Sequence, residues 1–403
     1  MPLPYSGLKV LDLSQGIAGP YCAEILLQNG AIVTKVEPPA GDWSRGIGLA
    51  IDGLTALTVA NNLGKRSISV DASNPGGRDL IRRLARDADI LIESFRPGVM
   101  NRLGLSCESL SQSNPGLIYV SVTGFGPDGP YADRPASDST LQALSGLMIA
   151  NRDEHGNPRK VGFLVVDVMT GVFAAHATAA ALYRRAIYGQ GDHVHVSLLE
   201  AAAAMQGTSI VDRVLTGSKP ARPVSVPAGT FRTRDGFVNV TSLHDKMFAG
   251  LCRATQKLEW LDDPRLVNGE SRFAHAAEIN AALEQTFRTM STEYWLGVLR
   301  QNGVVCGPVH GYDEFLQDEQ VRHAAIFDHI PQFADQDVPV PRVPGTSREV
   351  TLRVAPRAGA DEAAVLADLG LTEADIAVLR ESGALVSTRG DGAGQPDHTT
   401  EPA

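Results

Sequence analysis

Short apolar runs alternate with helix-like stretches over the first two hundred residues, and this alternation restricts the fold more than any other feature. "LKVLDLS" (8–14) reads as a buried strand, and "PYCAEILLQNG" (20–30) as a helix with Pro20 near its first position and Gly30 just past its end. "AIVTKVE" (31–37), "SISVD" (67–71), "DILIES" (89–94) and "LIYVSV" (117–122) continue the strand series, with the helical "GGRDLIRRLARDA" (76–88) among them. Strands alternating with helices of about 10–15 residues imply βαβ units, and so an α/β fold whose parallel sheet is covered on both faces. Ligands of such sheets lie beyond the carboxyl ends of the strands. Chemistry is therefore expected in the loops that follow strands.

A chain of 403 residues exceeds one ordinary core, so two domains, or one interrupted by another, are expected. The segments give a large domain over 1–219, a smaller α+β domain over 220–320, a return of 321–386 to the first domain, and a tail over 387–403. The Pro-, Gly- and Arg-rich "GSKPARPVSVPAGTFRTRDGFVNVTSL" reads as a linker feeding a hairpin. The tail "STRGDGAGQPDHTTEPA" has almost no apolar residues and is expected to be disordered. No run of about 18 apolar residues and no leader-like start occurs, so a cytoplasmic protein with no membrane partner is expected. A net charge of −10 argues against a general nucleic-acid surface, and a phosphate-bearing ligand would need a local basic cluster. Cys22, Cys107, Cys252 and Cys306 are far apart and the histidines lack ligand spacing, which points to reduced thiols and no metal.

Several loops could carry chemistry. "SQGIAGP" (14–20), with Glu37 about 20 residues beyond it, suits either a dinucleotide-binding turn or a plain tight turn. "NNLGKRS" supplies Lys65 and Arg66, and "SFRPGVMNRLG" supplies Arg96 and Arg102; such cations suit phosphates, and Phe95 could stack on a base. Two long Gly/Pro loops, "TGFGPDGPYADRP" and "NRDEHGNPRKVG", could cover a site. In "VGFLVVDVMTG" Asp167 stands just before a long helix. It reads as an N-cap, as a carboxylate held ionised at the ligand edge, or as both. No G-x-S-x-G elbow competes with it. His193 and His195 alternate within a strand, which places one of them toward the core or a helix.

The blocks "LKVLDLSQGIAGPYCAEILLQNGAIVTKVEPPAGDWSR", "NNLGKRSISVD", "DILIESFRPGVMNRLG", "LIYVSVTGFGPDGPYADRP", "LQALSGLM" and "VVDVMTG" together resemble the class III coenzyme A transferases, the formyl-CoA transferase and carnitine CoA-transferase (CaiB/BaiF) group. The similarity is dense over 4–206 and weaker at "PAGTFRTRDGFVNV" and "GVVCGPVHGYDEFLQDEQV". It implies a Rossmann-like large domain with a parallel sheet formed from both chain ends, a small α+β domain, and an interlocked homodimer. It implies Asp167 as a nucleophile that forms an aspartyl anhydride and then an aspartyl-CoA thioester, ionised at pH 7 without an activating base. It implies CoA contacts at Gln15, Ala18, Leu63, Lys65, Arg66, Ser94, Phe95 and Arg102. Acyl-CoA and a small carboxylic acid would be substrates, and no tightly bound cofactor is expected. Ile17, Pro38 and Ser137 depart from the formyl-CoA transferase pattern, and the small domain lacks its glycine run, which argues against oxalate as acceptor.

Three other functions fit parts of the sequence. A 2-methylacyl-CoA racemase of the same fold needs a histidine ahead of the helix matching "LQALSGLM", where this chain has Ser137-Asp138. An NAD-dependent dehydrogenase rests on "GIAG" and Glu37. A non-catalytic acyl-CoA binder would leave Asp167 dispensable.

Overall fold

The protein is described by a computed structural model covering residues 2–153, 155–217, 225–334 and 336–386; the tail from Ser387 lies outside the described residues. Contacts divide the chain into two compact units, Met1–Gly207 with Phe327–Ala403, and Thr208–Ile326. The sequence placed these breaks after 219 and 320. The helix Gly207–Thr216, which crosses the first break, buries none of its residues.

The larger unit is built on β1 (Lys9–Asp12), α1 (Ala18–Gln28), β2 (Ile32–Glu37), β3 (Arg66–Ser69), α2 (Pro75–Arg86), β4 (Ile90–Glu93), β5 (Ile118–Thr123), α3 (Asp138–Leu144), α4 (Val165–Tyr188) and β6 (Asp192–Ser197). The six strands pair in the order β3-β2-β1-β4-β5-β6, every pair parallel. Successive side chains of each strand enter opposite layers. Val10, Ile90 and Ile92 pack with α1 and α4, while Leu11 and Leu91 pack with Leu80 and Ile81 of α2. Burial on both faces explains why adjacent positions such as Ile90, Leu91 and Ile92 are all apolar, each large aliphatic side chain contributing about 1.5–3 kcal/mol. The chain reverses its winding between β2 and β4 across β1, and this reversal is where such sheets open a crevice.

One expectation fails. All six strands come from Lys9–Ser197, so the sheet is not formed from both chain ends. The C-terminal segment pairs with itself as a hairpin of β10 (Phe327–Phe333) and β11 (Gln336–Pro341), whose prolines lack the donors that a central strand needs. It returns through Asp361, which accepts from the Ser67 amide at 2.9 Å, and through one antiparallel bridge between Val70 and Leu385.

α4 spans 24 residues and contains a stretch of 18 with mean hydropathy 1.5, long and apolar enough to cross a membrane by length and composition. In this fold it buries Val166, Ala174, Ala175, Thr178 and Ala181 and runs against α1. Their crossing is close at Gly171, where a Cβ would meet the Ala18 carbonyl oxygen at 2.8 Å. His193 and His195, two residues apart on β6, share one face with ring centroids 3.8 Å apart, so neither enters the core.

The smaller unit has an antiparallel sheet of β7 (Ala228–Arg232), β8 (Phe237–Thr241) and β9 (Val305–Pro308) under several helices. Its Arg272 is 2% exposed, bonds to Val226 and Leu266 carbonyls and pairs with Asp245.

Candidate active site

Asp167 is the third residue of α4, and it does not cap that helix. Leu164 holds the N-cap position without a side-chain bond. The capping acceptor arrives from the start of another helix, α3: Asp138 Oδ2 accepts from the amides of Val166 at 2.7 Å and Asp167 at 3.2 Å. Asp138 opens α3 behind its own cap, Ser137, and is 3% exposed. Gln142, one turn on, donates to Asp138 Oδ1 at 2.6 Å and accepts from the Val161 amide at 2.8 Å, which braces the approach to α4. Since Asp138 supplies the cap, the Asp167 carboxylate is left on the wall of a cleft.

Electrostatics here also depart from the sequence expectation of an ordinary ionised aspartate. Burial first, and then the negative charge of Asp138, raise the Asp167 pKa to about 7, against an ordinary value of 3.8. Near neutrality the group is divided between its acid and its nucleophilic carboxylate form.

The cleft encloses about 640 Å³ and gathers loops that follow five strands. Gln15, Ile17, Ala18 and Gly19 follow β1; Trp43 and Ile47 come after β2; Ser94, Phe95 and Arg96 follow β4; Gly124 follows β5 and Leu198 follows β6. Ala18 and Gly19 begin α1, so their amides have no intrahelical acceptor and are oriented for an anion. Ser94 Oγ accepts from the Gln15 amide at 2.9 Å and joins two of these loops. A second cleft, about 230 Å³, lies at the ends of β1 to β4 and is lined by Leu13, Val36, Pro38, Val70 and Leu103. Gln15 and Phe95 line both clefts.

Of the sequence-derived site residues, the structure gathers Gln15, Ala18, Ser94, Phe95 and Asp167 in one cleft. Arg102 is exposed on the short helix Val99–Leu103 beyond β4 and lines neither cleft. Leu63, Lys65 and Arg66 are corrected. The loop that carries them precedes β3, which begins at Arg66, and so lies at the amino edge. Leu63 is fully buried against Leu54 and Leu352. Lys65 is 3% exposed, and its ammonium donates to Asp12 Oδ2 and to the Pro20 carbonyl, each at 2.8 Å, so it has no contact to give a phosphate. Arg66 pairs with Asp368 at 2.6 Å. Glu37, the acid of the dinucleotide reading, is 1% exposed and accepts from Arg45 at 2.6 Å, Ser67 at 2.7 Å and the Asp42 amide at 2.9 Å, which leaves it nothing to offer a ribose. Sequence reasoning missed Asp138 as the cap, the slot at Val36 and Val70, and the wall formed by Trp43 and Ile47. Only position in the βα order could have marked the slot, because its residues are ordinary apolar ones.

Among the described residues no cluster of His, Cys, Asp and Glu suits a metal ion, and Cys22, Cys107, Cys252 and Cys306 are free thiols, two of them buried. None of the residues lining the Asp167 cleft is histidine, so the second base of a racemase is missing there.

The chain is similar over most of its length to proteins of known activity and structure. The succinate–glutarate CoA-transferase of Agrobacterium fabrum is 33% identical over 386 residues, covering 92% of this chain and 96% of its own. The acetyl-CoA:oxalate CoA-transferase of Acetobacter aceti is 36% identical over 313 residues, covering 76% and 80%. Among solved structures, a CaiB/BaiF family protein from Brucella suis superimposes with a TM-score of 0.82 at 32% identity, covering 92% of this chain and 100% of its own. A model of CoA-transferase family III matches residues 5–362, and the chain belongs to that family, as a CoA-transferase.

Proposed function

We propose that this CoA-transferase moves CoA between carboxylic acids by covalent catalysis on Asp167. The observation that carries the reading is the meeting of a free, partly buried carboxylate with the unpaired first amides of α1 in one cleft at the carboxyl edge. An ionised Asp167 oxygen attacks the thioester carbonyl carbon of the donor, the carbon–sulfur bond breaks, and CoA leaves as thiolate from a mixed anhydride. The thiolate attacks the aspartyl carbonyl, which releases the donor acid and leaves an aspartyl-CoA thioester. The acceptor carboxylate repeats the sequence in reverse and regenerates Asp167 with the new acyl-CoA. No water enters the balance, and the amides of Ala18 and Gly19 face the charge that develops on the carbonyl oxygen.

In this reading the larger unit is a Rossmann-like CoA-binding domain. The adenine occupies the apolar slot between Val36, Pro38, Val70 and Phe95, and the pantetheine passes Gln15 and Ser94 toward Asp167. Arg102, exposed beyond β4, remains the phosphate contact of the proposed set, whereas Leu63, Lys65 and Arg66 leave it. An interlocked homodimer is supported by exposed apolar side chains in each unit: Tyr183 and Tyr188 of α4 are 71% and 73% exposed in the larger, and Val214 and Leu215 are 77% and 80% exposed in the smaller. The acids exchanged are small carboxylates, the class named for the transferase relatives.

The test is to trap the intermediate. Protein incubated with succinyl-CoA or acetyl-CoA is quenched with hydroxylamine or borohydride and mapped by peptide mass spectrometry. Modification at Asp167 is expected. Modification of another residue, or of none across a panel of acyl-CoAs, overturns the proposal.

A further inference from the structure

We infer that Asp42 is a positioning residue for transfer, fixing the turn that presents the α1 amides to the acyl group opposite Asp167. This rests on the Asp167 chemistry proposed above. The turn Ser14–Gly16 is tied at every peptide. Asp12 accepts from the Ser14 amide at 3.0 Å and from its hydroxyl. Lys35 donates to the Ser14 carbonyl at 2.8 Å, and Ser94 accepts from the Gln15 amide at 2.9 Å. Asp42 accepts from the Gly16 amide with both oxygens, at 3.0 and 3.2 Å.

The same Asp42 carboxylate accepts from the Ser44 amide at 2.8 Å and so caps the short helix Trp43–Gly46. That helix carries Trp43 onto Gly16, whose φ is +82° and whose added Cβ would sit 2.1 Å from the indole. One side chain therefore holds both the turn and the wall that faces it. Beneath them Lys35 bonds Asp42 at 2.9 Å and lies 3.9 Å from Asp12, which also takes Lys65 at 2.8 Å. All four groups are nearly solvent-free, and two lysines balance two aspartates. Lys65 ties the network to the Pro20 carbonyl in the first turn of α1. A buried, balanced network of this kind fixes geometry more than it adds stability. Every amide from Ser14 to Gly16 has an internal acceptor, while those of Ala18 and Gly19 are left for substrate. The binding turn thus enters the reaction already ordered, and no loop must be fixed when charge develops.

The experiment compares acylation of Asp167 in wild type, Asp42→Ala and Asp42→Asn by rapid quench and peptide mass spectrometry, alongside CoA affinity. Asp42→Ala is expected to slow acylation about 100-fold while CoA affinity changes less than about 3-fold. Asp42→Asn can still accept from Gly16 and Ser44 and is expected to recover at least about 10-fold of that loss. In wild type, hydrogen exchange should find the Gly16 amide protected relative to Ala18 and Gly19. That measurement decides the matter if the Ala variant does not fold. Equal acylation rates in all three proteins, an Asn variant no better than Ala, a parallel fall of affinity and rate with stability, or rapid exchange at Gly16 would each overturn the clamp. A wild type that no acyl-CoA labels at Asp167 would instead remove the underlying chemistry, and the clamp with it.

Discussion

Replacing Asp167 with asparagine should abolish transfer and make the protein more stable, by an amount that grows with pH. The acid's pKa is raised on folding from 3.8 to about 7, chiefly by burial and then by Asp138. Between those values the folded state holds a proton that the unfolded chain has released, so wild-type stability falls as pH rises through the window. At about 1.36 kcal/mol per unit the full penalty is about 4 kcal/mol at pH 8.5, of which about 2 is already present at pH 5. The change between the two pH values is thus at most about 2–3 kcal/mol. Because the carboxylate stands on the wall of an open cleft, solvent screening reduces it to about 1–2 kcal/mol. The asparagine variant has no proton to lose there. Urea unfolding followed by circular dichroism at pH 5 and 8.5 measures both proteins; the variant's advantage should widen by about 1–2 kcal/mol. An advantage that stays constant, or one that narrows toward pH 8.5, refutes the reasoning that burial and Asp138 oppose ionisation.

The same raised value predicts that kcat/KM for a preferred acyl-CoA climbs with pH to a plateau, with an apparent pKa near 7; a profile already flat at pH 5.5 would show an ordinary aspartate. Lys65→Met should cost about 3–5 kcal/mol of stability by removing the cation bonded to Asp12 and leaving it Lys35 at 3.9 Å as counter-charge, and it should leave KM for CoA esters in the surviving folded fraction within about 2-fold. Gly171→Ala, whose methyl would press on the Ala18 carbonyl at 2.8 Å and on Tyr21 at 3.0 Å, should cost about 1–3 kcal/mol and lower kcat more than it raises KM, as a shift of α4 relative to the α1 amides requires.

How much of this was legible depends on the range over which each residue acts. Runs such as 90–92 and 117–120 are apolar at every position because both faces are covered, so a local window contains the signal. The order β3-β2-β1-β4-β5-β6 is not contained in those windows: crossover helices require parallel neighbours but do not decide that β4 pairs with β1 rather than β3. Lys65 was misread because a lysine beside arginine in a glycine loop looks solvated, while the aspartate that buries it lies 53 residues earlier on β1. Asp167 was half legible: its place at the helix start can be read locally, but the cap comes from Asp138, whose carboxylate accepts from the Val166 amide across 28 residues. Trp43 and Asp42 sit in a loop with no periodicity, and only the turn they hold gives them meaning.

Separating the cap from the nucleophile has a chemical reason. Had Asp167 capped α4 itself, its oxygens would accept from the first amides of the helix, turned away from the thioester and held toward lower basicity. With Asp138 in that role, both amides are satisfied at 2.7 and 3.2 Å while Asp167 keeps its lone pairs and gains basicity from its neighbour's charge. Asp138→Asn separates the two contributions. Its carbonyl oxygen can still accept from Val166 and Asp167, so the helix start survives, at a cost of about 1–3 kcal/mol where the new amide opposes the Gln142 donor. Its lost charge should move the rising limb of the pH profile downward, yet not to the ordinary 3.8, because burial is the larger cause and remains. If the limb keeps its position in this variant, Asp138 acts on Asp167 through geometry alone.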